Sequence, residues 1–207
     1  MAPGRLRAVR VLSRERDKRM GRIKVIPCHI EGLYLIEPEL HGDERGYFIE
    51  TYNQRDMLEA GLNMQFVQDN QSMSRKGVLR GMHYQIAHPQ GKLVRALRGC
   101  IYDVAVDLRK GSRTYGQWFG SELSEDNFRQ IYIPEGFAHG YLTLSDTAVF
   151  AYKVTDFYHP GDEGGFRWND PGIGIDWQYI KGDALFDGTP LLINERDRSW
   201  PDINLSF

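Results

Sequence analysis

The sequence predicts an all-β protein, a sandwich or barrel built from many short strands with a few short helices at its edge. Three observations predict it. Runs rich in β-branched and aromatic residues recur along the chain, most of them bounded by Gly, Pro, Asp, Asn or Ser. The 22 glycines and 9 prolines are spread between these runs rather than clustered, which supplies many turns. Helical periodicity is scarce, so the alternation points to packed sheets rather than a helical core.

Residues 1–19 carry seven basic side chains (Arg5, Arg7, Arg10, Arg14, Arg16, Lys18, Arg19) and two acidic ones (Glu15, Asp17), net +5. That leaves 19 basic and 26 acidic side chains, net −7, in the rest of the chain. We read residues 1–19 as a disordered basic extension, with Met20 as an alternative start, and residues 20–207 as one domain. The acidic body argues against nucleic acid as a partner, because phosphate backbones need a basic face. No long apolar stretch suggests a membrane span, and Cys28 and Cys100 match no zinc spacing; the expected setting is cytoplasmic with reduced thiols.

Strand signals begin at Lys24 and continue at residues 33–36, 47–52, 93–97, 101–108, 118–123, 130–133 and 148–154. In residues 101–108, Tyr102, Val104, Val106 and Leu108 take one face and Asp103 and Asp107 the other, a period of two that predicts one buried face. Helical signals fall on residues 54–60, on a short turn at 124–128 capped by Ser124, and somewhere in the C-terminal third.

Two runs carry candidate chemistry. VLRGMHYQ (residues 78–85) and IPEGFAHGY (residues 133–141) each place one histidine, His83 or His139, in an apolar strand-like setting. Such an imidazole suits proton transfer, a metal site or a quiet core hydrogen bond. Jelly-roll barrels often bind metal through an HxH pair and a later PxGxxH. Pro134, Gly136 and His139 supply the second element, but Tyr84 and Gln85 follow His83 where a second histidine would stand. A metal needs about three convergent ligands, so no metal is expected. Proton abstraction beside a carbonyl needs a base, a cation or donor at the enolate oxygen, and an acid. His83, Lys92 in GKLVR and Tyr152 in AYKVTDFYH fit those roles, although a core histidine, a surface lysine and a strand aromatic are the plain alternatives.

The chain resembles the dTDP-4-dehydrorhamnose 3,5-epimerase family over roughly residues 23–201. The resemblance rests on GDERGYFIETYN, FVQDNQS, VLRGMHYQ, GKLVR, IYDVAVDLRKGS, YIPEGFAHGY, YKVTDFYHPGDEGG and RWNDPGIGIDW, in that order. It implies a jelly-roll (cupin-like) homodimer that acts without metal or cofactor on a dTDP-4-keto-6-deoxy sugar. It implies His83 as base, Asp197 in NERDR as its partner, Tyr152 as acid and Lys92 as the catalytic cation, with Asp103 a rival partner of His83. Implied substrate contacts are Arg45, Glu50, Gln68, Asp69, Asn70, Arg80, Lys92, His139, Glu163 and Arg196, with Tyr158 stacking on thymine. The arginines suit a diphosphate, and a flat ring suits the base. Arg196 stands where the family usually has lysine, Phe157 where a second tyrosine is common, and residues 1–19 have no counterpart. The expected reaction inverts C3 and C5 of dTDP-4-dehydro-6-deoxy-D-glucose in deoxysugar biosynthesis. Inversion at one carbon, a metal-dependent cupin and a non-catalytic sugar-nucleotide binder are the alternatives.

Overall fold

The computed structural model describes residues 23–203 and 205, so the basic extension and Met20 lie outside the described residues. In chain order the elements are β1 (Ile23–Pro27), β2 (Tyr34–Pro38), β3 (Leu40–Asp43), β4 (Gly46–Ile49), α1 (Gln54–Glu59), β5 (Gln68–Arg75), β6 (Leu79–Gln85), β7 (Lys92–Arg98) and β8 (Cys100–Asp107). There follow β9 (Trp118–Ser124), β10 (Gln130–Ile133), β11 (Phe137–Thr143), β12 (Thr147–Val154), β13 (Glu163–Gly165), β14 (Ile180–Lys181), β15 (Ala184–Leu185) and α2 (Glu195–Ser199).

One sheet runs β1-β2-β10-β7-β12-β5 and the other β13-β6-β11-β8-β9, with β3-β4 and β14-β15 as separate hairpins. All paired strands of these sheets are antiparallel. Inward side chains of both sheets meet in a core of Ile30, Leu33, Val94, Ile101, Ala105, Ile131, Phe137, Tyr141 and Phe150. This is the jelly-roll sandwich the sequence predicts, with strands close to the predicted ranges.

Three local expectations change. The turn at residues 124–128 does not become a helix. The Ser124 hydroxyl accepts from the Asn127 N–H (3.1 Å), and the Phe128 N–H reaches the Ser124 carbonyl (3.1 Å), but the turn is not continued. The strand expected at 47–52 ends at Ile49, because Asn53 caps α1 by accepting from the Arg55 N–H (3.0 Å). Strand β8 is buried on both faces, correcting the one-faced expectation. Tyr102, Val104 and Val106 pack outward under Phe166, Trp177, Leu185 and Leu191 of the C-terminal segment, while Ile101 and Ala105 join the inner core. Asp103 and Asp107 therefore sit on an interior face and are fully buried.

One glycine is required by close approach. Gly81 has φ of +130°, and a Cβ there would lie 2.6 Å from the Gly140 Cα of the neighbouring strand. This contact, with an irregularity in the ladder at Gly140, brings β6 and β11 together so that His83 and His139 are directly opposed.

Candidate active site

Between the sheets lies a cavity of about 260 Å³ whose lining includes His83, Lys92, His139, Tyr152, Tyr158 and Asp197. It is of the order expected for a small-molecule site, with charged groups gathered on an aromatic wall.

The base wall is built by β6 and the C-terminal segment. Leu192 bonds the backbone at Gly77 and Leu79, which lays the segment alongside β6. Asn194 then caps α2 by accepting from the Asp197 N–H (2.7 Å), turning the Asp197 side chain in beneath Gly81 and His83. His83 Nε2 lies 2.8 Å from Asp197 Oδ1, and Asp197 Oδ2 accepts from the Gly81 N–H (3.2 Å). Asp197 has no exposed surface. Burial pushes its carboxyl up, but the His83 hydrogen bond and charge, the Gly81 N–H and Arg196 outweigh that and hold it below its ordinary range. An ionised carboxylate only accepts, so it fixes the hydrogen on Nε2 and leaves Nδ1 with the lone pair.

His139 has its own carboxylate: its Nε2 is 2.8 Å from Asp103 Oδ2. The two candidate partners of His83 are thus separated. Asp197 pairs with His83 and Asp103 with His139, because Asp103 lies opposite Tyr141 in the β8–β11 ladder, two residues along from His139. Each imidazole is engaged by its own carboxylate, and among the described residues no group of three His, Cys, Asp or Glu could hold a metal ion.

The facing sheet supplies the other groups. Tyr152 on β12 packs against Phe150 (ring centroids 5.4 Å apart) and lines the cavity. Burial, then the nearby Tyr141, push its phenol up, with Arg80 pulling the other way, so it is a proton donor at neutral pH. Lys92 opens β7. Burial lowers its ammonium to about 8 even though Asp103 and Glu135 favour the charge, and no described residue hydrogen-bonds it. It is a cation in the cavity wall with its donors free for a ligand.

Arg196 and Glu163 pair across the cavity rim (2.6 Å); Arg196 also touches Asp197 Oδ1 (3.3 Å) and lies 3.5 Å from His83 Nε2. Arg80 lines the cavity and donates to Ser74 Oγ (3.2 Å). Gln68 reaches the site indirectly: its Oε1 accepts from the Tyr158 N–H (3.3 Å), and its amide donates to Asn70 (2.8 Å).

Neither Gln68 nor Asn70 lines the cavity itself, and three further residues expected at the site lie away from it. Strand β5 alternates strictly, with Gln68, Asn70, Ser72 and Ser74 turned inward and Asp69, Gln71, Met73 and Arg75 outward. Asp69 therefore faces away and pairs with Lys153 (2.7 Å) on the outer surface of the sheet. Arg45 sits exposed at the β3–β4 turn, bound to Asp43. Glu50 accepts from Asn53 (2.9 Å) at the start of α1.

The structure adds residues that the motifs did not single out. Gln85 is buried, donates to the carbonyls of His88 (2.7 Å) and Phe157 (3.3 Å), and accepts from the His159 N–H (2.9 Å). It pins the loop that carries Tyr158. Ser72 and Tyr141 also line the cavity. A period-two reading of residues 68–75 would have found Ser72, but a polar strand lacks the β-branched signal.

A jelly roll with a carboxylate-held histidine facing a phenol and a buried cation defines a cupin-like protein built for proton transfer. The comparisons agree. The sequence model of the dTDP-4-dehydrorhamnose 3,5-epimerase family matches residues 27–204. A dTDP-4-dehydrorhamnose 3,5-epimerase of Methanothermobacter thermautotrophicus is 53% identical over 181 residues, covering 87% of this chain and 95% of that protein. One of Pseudomonas aeruginosa is 54% identical over 177 residues, covering 85% and 93%. The crystal structure of a Legionella pneumophila dTDP-6-deoxy-D-glucose-3,5-epimerase, in complex with dTDP-4-keto-L-rhamnose, superimposes with a TM-score of 0.82 at 46% identity, covering 89% of this chain and 94% of that one. The chain belongs to the dTDP-4-dehydrorhamnose 3,5-epimerase family.

Proposed function

We propose that the protein epimerises C3 and C5 of dTDP-4-dehydro-6-deoxy-D-glucose to give dTDP-4-dehydro-L-rhamnose, without a cofactor, for deoxysugar biosynthesis. One observation carries the reading: the His83–Asp197 pair stands on one wall of the cavity, with Tyr152 and Lys92 on the facing sheet. A base and an acid on opposite sides of a planar enolate invert the carbon between them. His83 removes the proton, Lys92 stabilises the C4 oxyanion, and Tyr152 returns a proton to the other face. Both carbons flank the same ketone, so one oxyanion site serves both enolisations. Asp197 holds the base. Arg80 and Arg196 take the diphosphate, Tyr158 the thymine, and His139, Glu163, Gln68 and Asn70 the remaining polar contacts. NMR of the product formed from the 4-keto sugar tests this: inversion at both carbons is expected, and inversion at C3 alone would reduce the protein to a single-carbon epimerase.

The working unit we propose is a homodimer. The hairpin β3–β4 exposes Leu40, Tyr47 and Phe48 and carries Arg45, while Glu50 follows it. An exposed apolar hairpin beside charged groups that miss their own cavity suits a partner copy.

Lys92 links mechanism to stability. The gap between its value of about 8 and the usual 10.5 amounts to about 3 kcal/mol against the charged form in the fold. That cost is fully present below pH 8. Between about pH 8 and 10.5 the unfolded chain binds more protons, so the cost is relieved as pH rises through that window. Lys92→Met is therefore expected to raise Tm at pH 7 while lowering kcat by about 10²-fold or more, as read by calorimetry and initial rates. In the wild type, kcat is expected to fall as pH rises through 8 and the ammonium loses its proton.

A further inference from the structure

A hydroxyl chain beside the acid has no role in the steps above. Tyr141 on β11 lies 3.1 Å from both Ser72 Oγ and Ser74 Oγ of β5, and the Arg80 Nε–H donates to Ser74 Oγ (3.2 Å). Ser74 and Tyr141 are buried, Arg80 is exposed, and Ser72 opens onto the cavity that Tyr152 also lines. Arg80 and Tyr141 line that same cavity, so the chain runs along its wall from the exposed Arg80 end to Ser72 on the acid side.

Its geometry gives it a direction. Arg80 can only donate, so it occupies a lone pair of Ser74. The Ser74 hydrogen is then best placed on Tyr141, the Tyr141 hydrogen on Ser72, and the Ser72 hydrogen into the cavity, each bond polarising the next. In the β5–β12 ladder Ser72 pairs with Phe150 and Asn70 with Tyr152, so Ser72 is the diagonal inward neighbour of Tyr152. No described residue hydrogen-bonds the Tyr152 hydroxyl, which leaves the last hop to a water or a sugar hydroxyl between them.

Resting on the epimerase reading, we infer that Ser74, Tyr141 and Ser72 form a proton relay that recharges Tyr152 between the two inversions. Each inversion leaves His83 with one proton more and Tyr152 with one fewer. A second inversion of the same bound sugar needs both reset. In the relay step Ser72 gives its proton towards the Tyr152 phenolate and takes that of Tyr141. Tyr141 takes that of Ser74, and Ser74 takes one, at the lone pair that Arg80 leaves open, from a water beside the guanidinium, which the proton released by His83 restores. Every O–H bond broken is matched by one formed, and His83 returns its surplus proton to solvent. Tyr141 is a positioning and relay residue, acting on the sugar through Tyr152.

The test is a single-turnover reaction with the 4-keto sugar, comparing wild type with Tyr141→Phe and Ser72→Ala. Phenylalanine keeps the ring that stacks on Phe150 (4.6 Å) and removes only the hydroxyl. In both variants the ratio of singly to doubly inverted sugar is expected to rise about tenfold or more, with KM within about twofold of wild type. A purely structural role would lower yield or Tm without moving that ratio, and Ser72→Ala carries the test if Tyr141→Phe misfolds. Wild-type ratios and rates in folded variants would overturn the relay alone, whereas a wild type that inverts neither carbon would overturn the epimerase reading.

Discussion

His83→Ala is expected to abolish deuterium incorporation from D₂O at both C3 and C5, with kcat down by about 10³-fold or more. His83 brings the only imidazole held by Asp197, and its Nδ1 has no partner among the described residues. Alanine leaves Asp197 buried with only the Gly81 N–H and Arg196 as donors, yet the lost side chain lines an open cavity, so the variant should still fold. Circular dichroism would establish that, and NMR of the recovered sugar would read the exchange. Wild-type-like exchange in folded His83→Ala would remove His83 as the base.

Asp197→Asn is the second large effect, and it tests the hold on the base rather than the base itself. The carboxylate serves three donors: His83 Nε2–H and the Arg196 Nε–H on one oxygen and the Gly81 N–H on the other. An asparagine has one oxygen and one NH₂. Turned one way its NH₂ faces the buried Gly81 N–H, and turned the other it faces His83 Nε2, where the imidazole loses the acceptor that fixes its tautomer; either mismatch costs about 1–3 kcal/mol. The expected result is a fall in kcat of about 10²–10⁴-fold and a Tm lower by about 2–8 °C. Because the Asp197 carboxyl is held below its ordinary range, its contribution is present above the unfolded value of about 3.9 and lost as pH falls through the folded one. The Tm difference between wild type and Asp197→Asn should therefore narrow on acidification below about pH 4. A difference constant with pH would mean that the carboxylate charge is not what stabilises this site.

Most of the sheet framework was legible because the buried strands announce themselves through β-branched and aromatic residues, as in β7, β8 and β12. Strand β5 was not. Its inward residues Gln68, Asn70, Ser72 and Ser74 are all polar and the strand lies at a sheet edge, so it carries no apolar face to read. The resemblance put Asp69 at the site, whereas the alternation turns it outward to Lys153. Asp103 misled in the other direction. Two aspartates alternating with valines read as a solvated face, but that face, with Ile101 and Ala105, is turned to the opposite sheet, while Phe166, Trp177 and Leu185 cover the Tyr102 face.

The catalytic set was legible by type and through the family motifs, but not by pairing. The resemblance gave Asp197 as the partner of His83 and left Asp103 a rival until the β8–β11 register assigned Asp103 to His139 and the Asn194-capped turn delivered Asp197. Long-range pairing of this kind is set by the strand register and is absent from local spacing. Arg45 and Glu50 sit in a readable motif, yet the hairpin carries Arg45 out of its own chain's cavity, and Glu50 turns to Asn53 at the start of α1.

The central claim is that one base, one acid and one oxyanion site serve two carbons. Its most direct measurement is incubation of the wild-type protein with dTDP-4-dehydro-6-deoxy-D-glucose in D₂O, with NMR reading deuterium at C3 and C5 separately. The account requires deuterium at both carbons of an inverted product; deuterium at one carbon alone, or at neither, would contradict it.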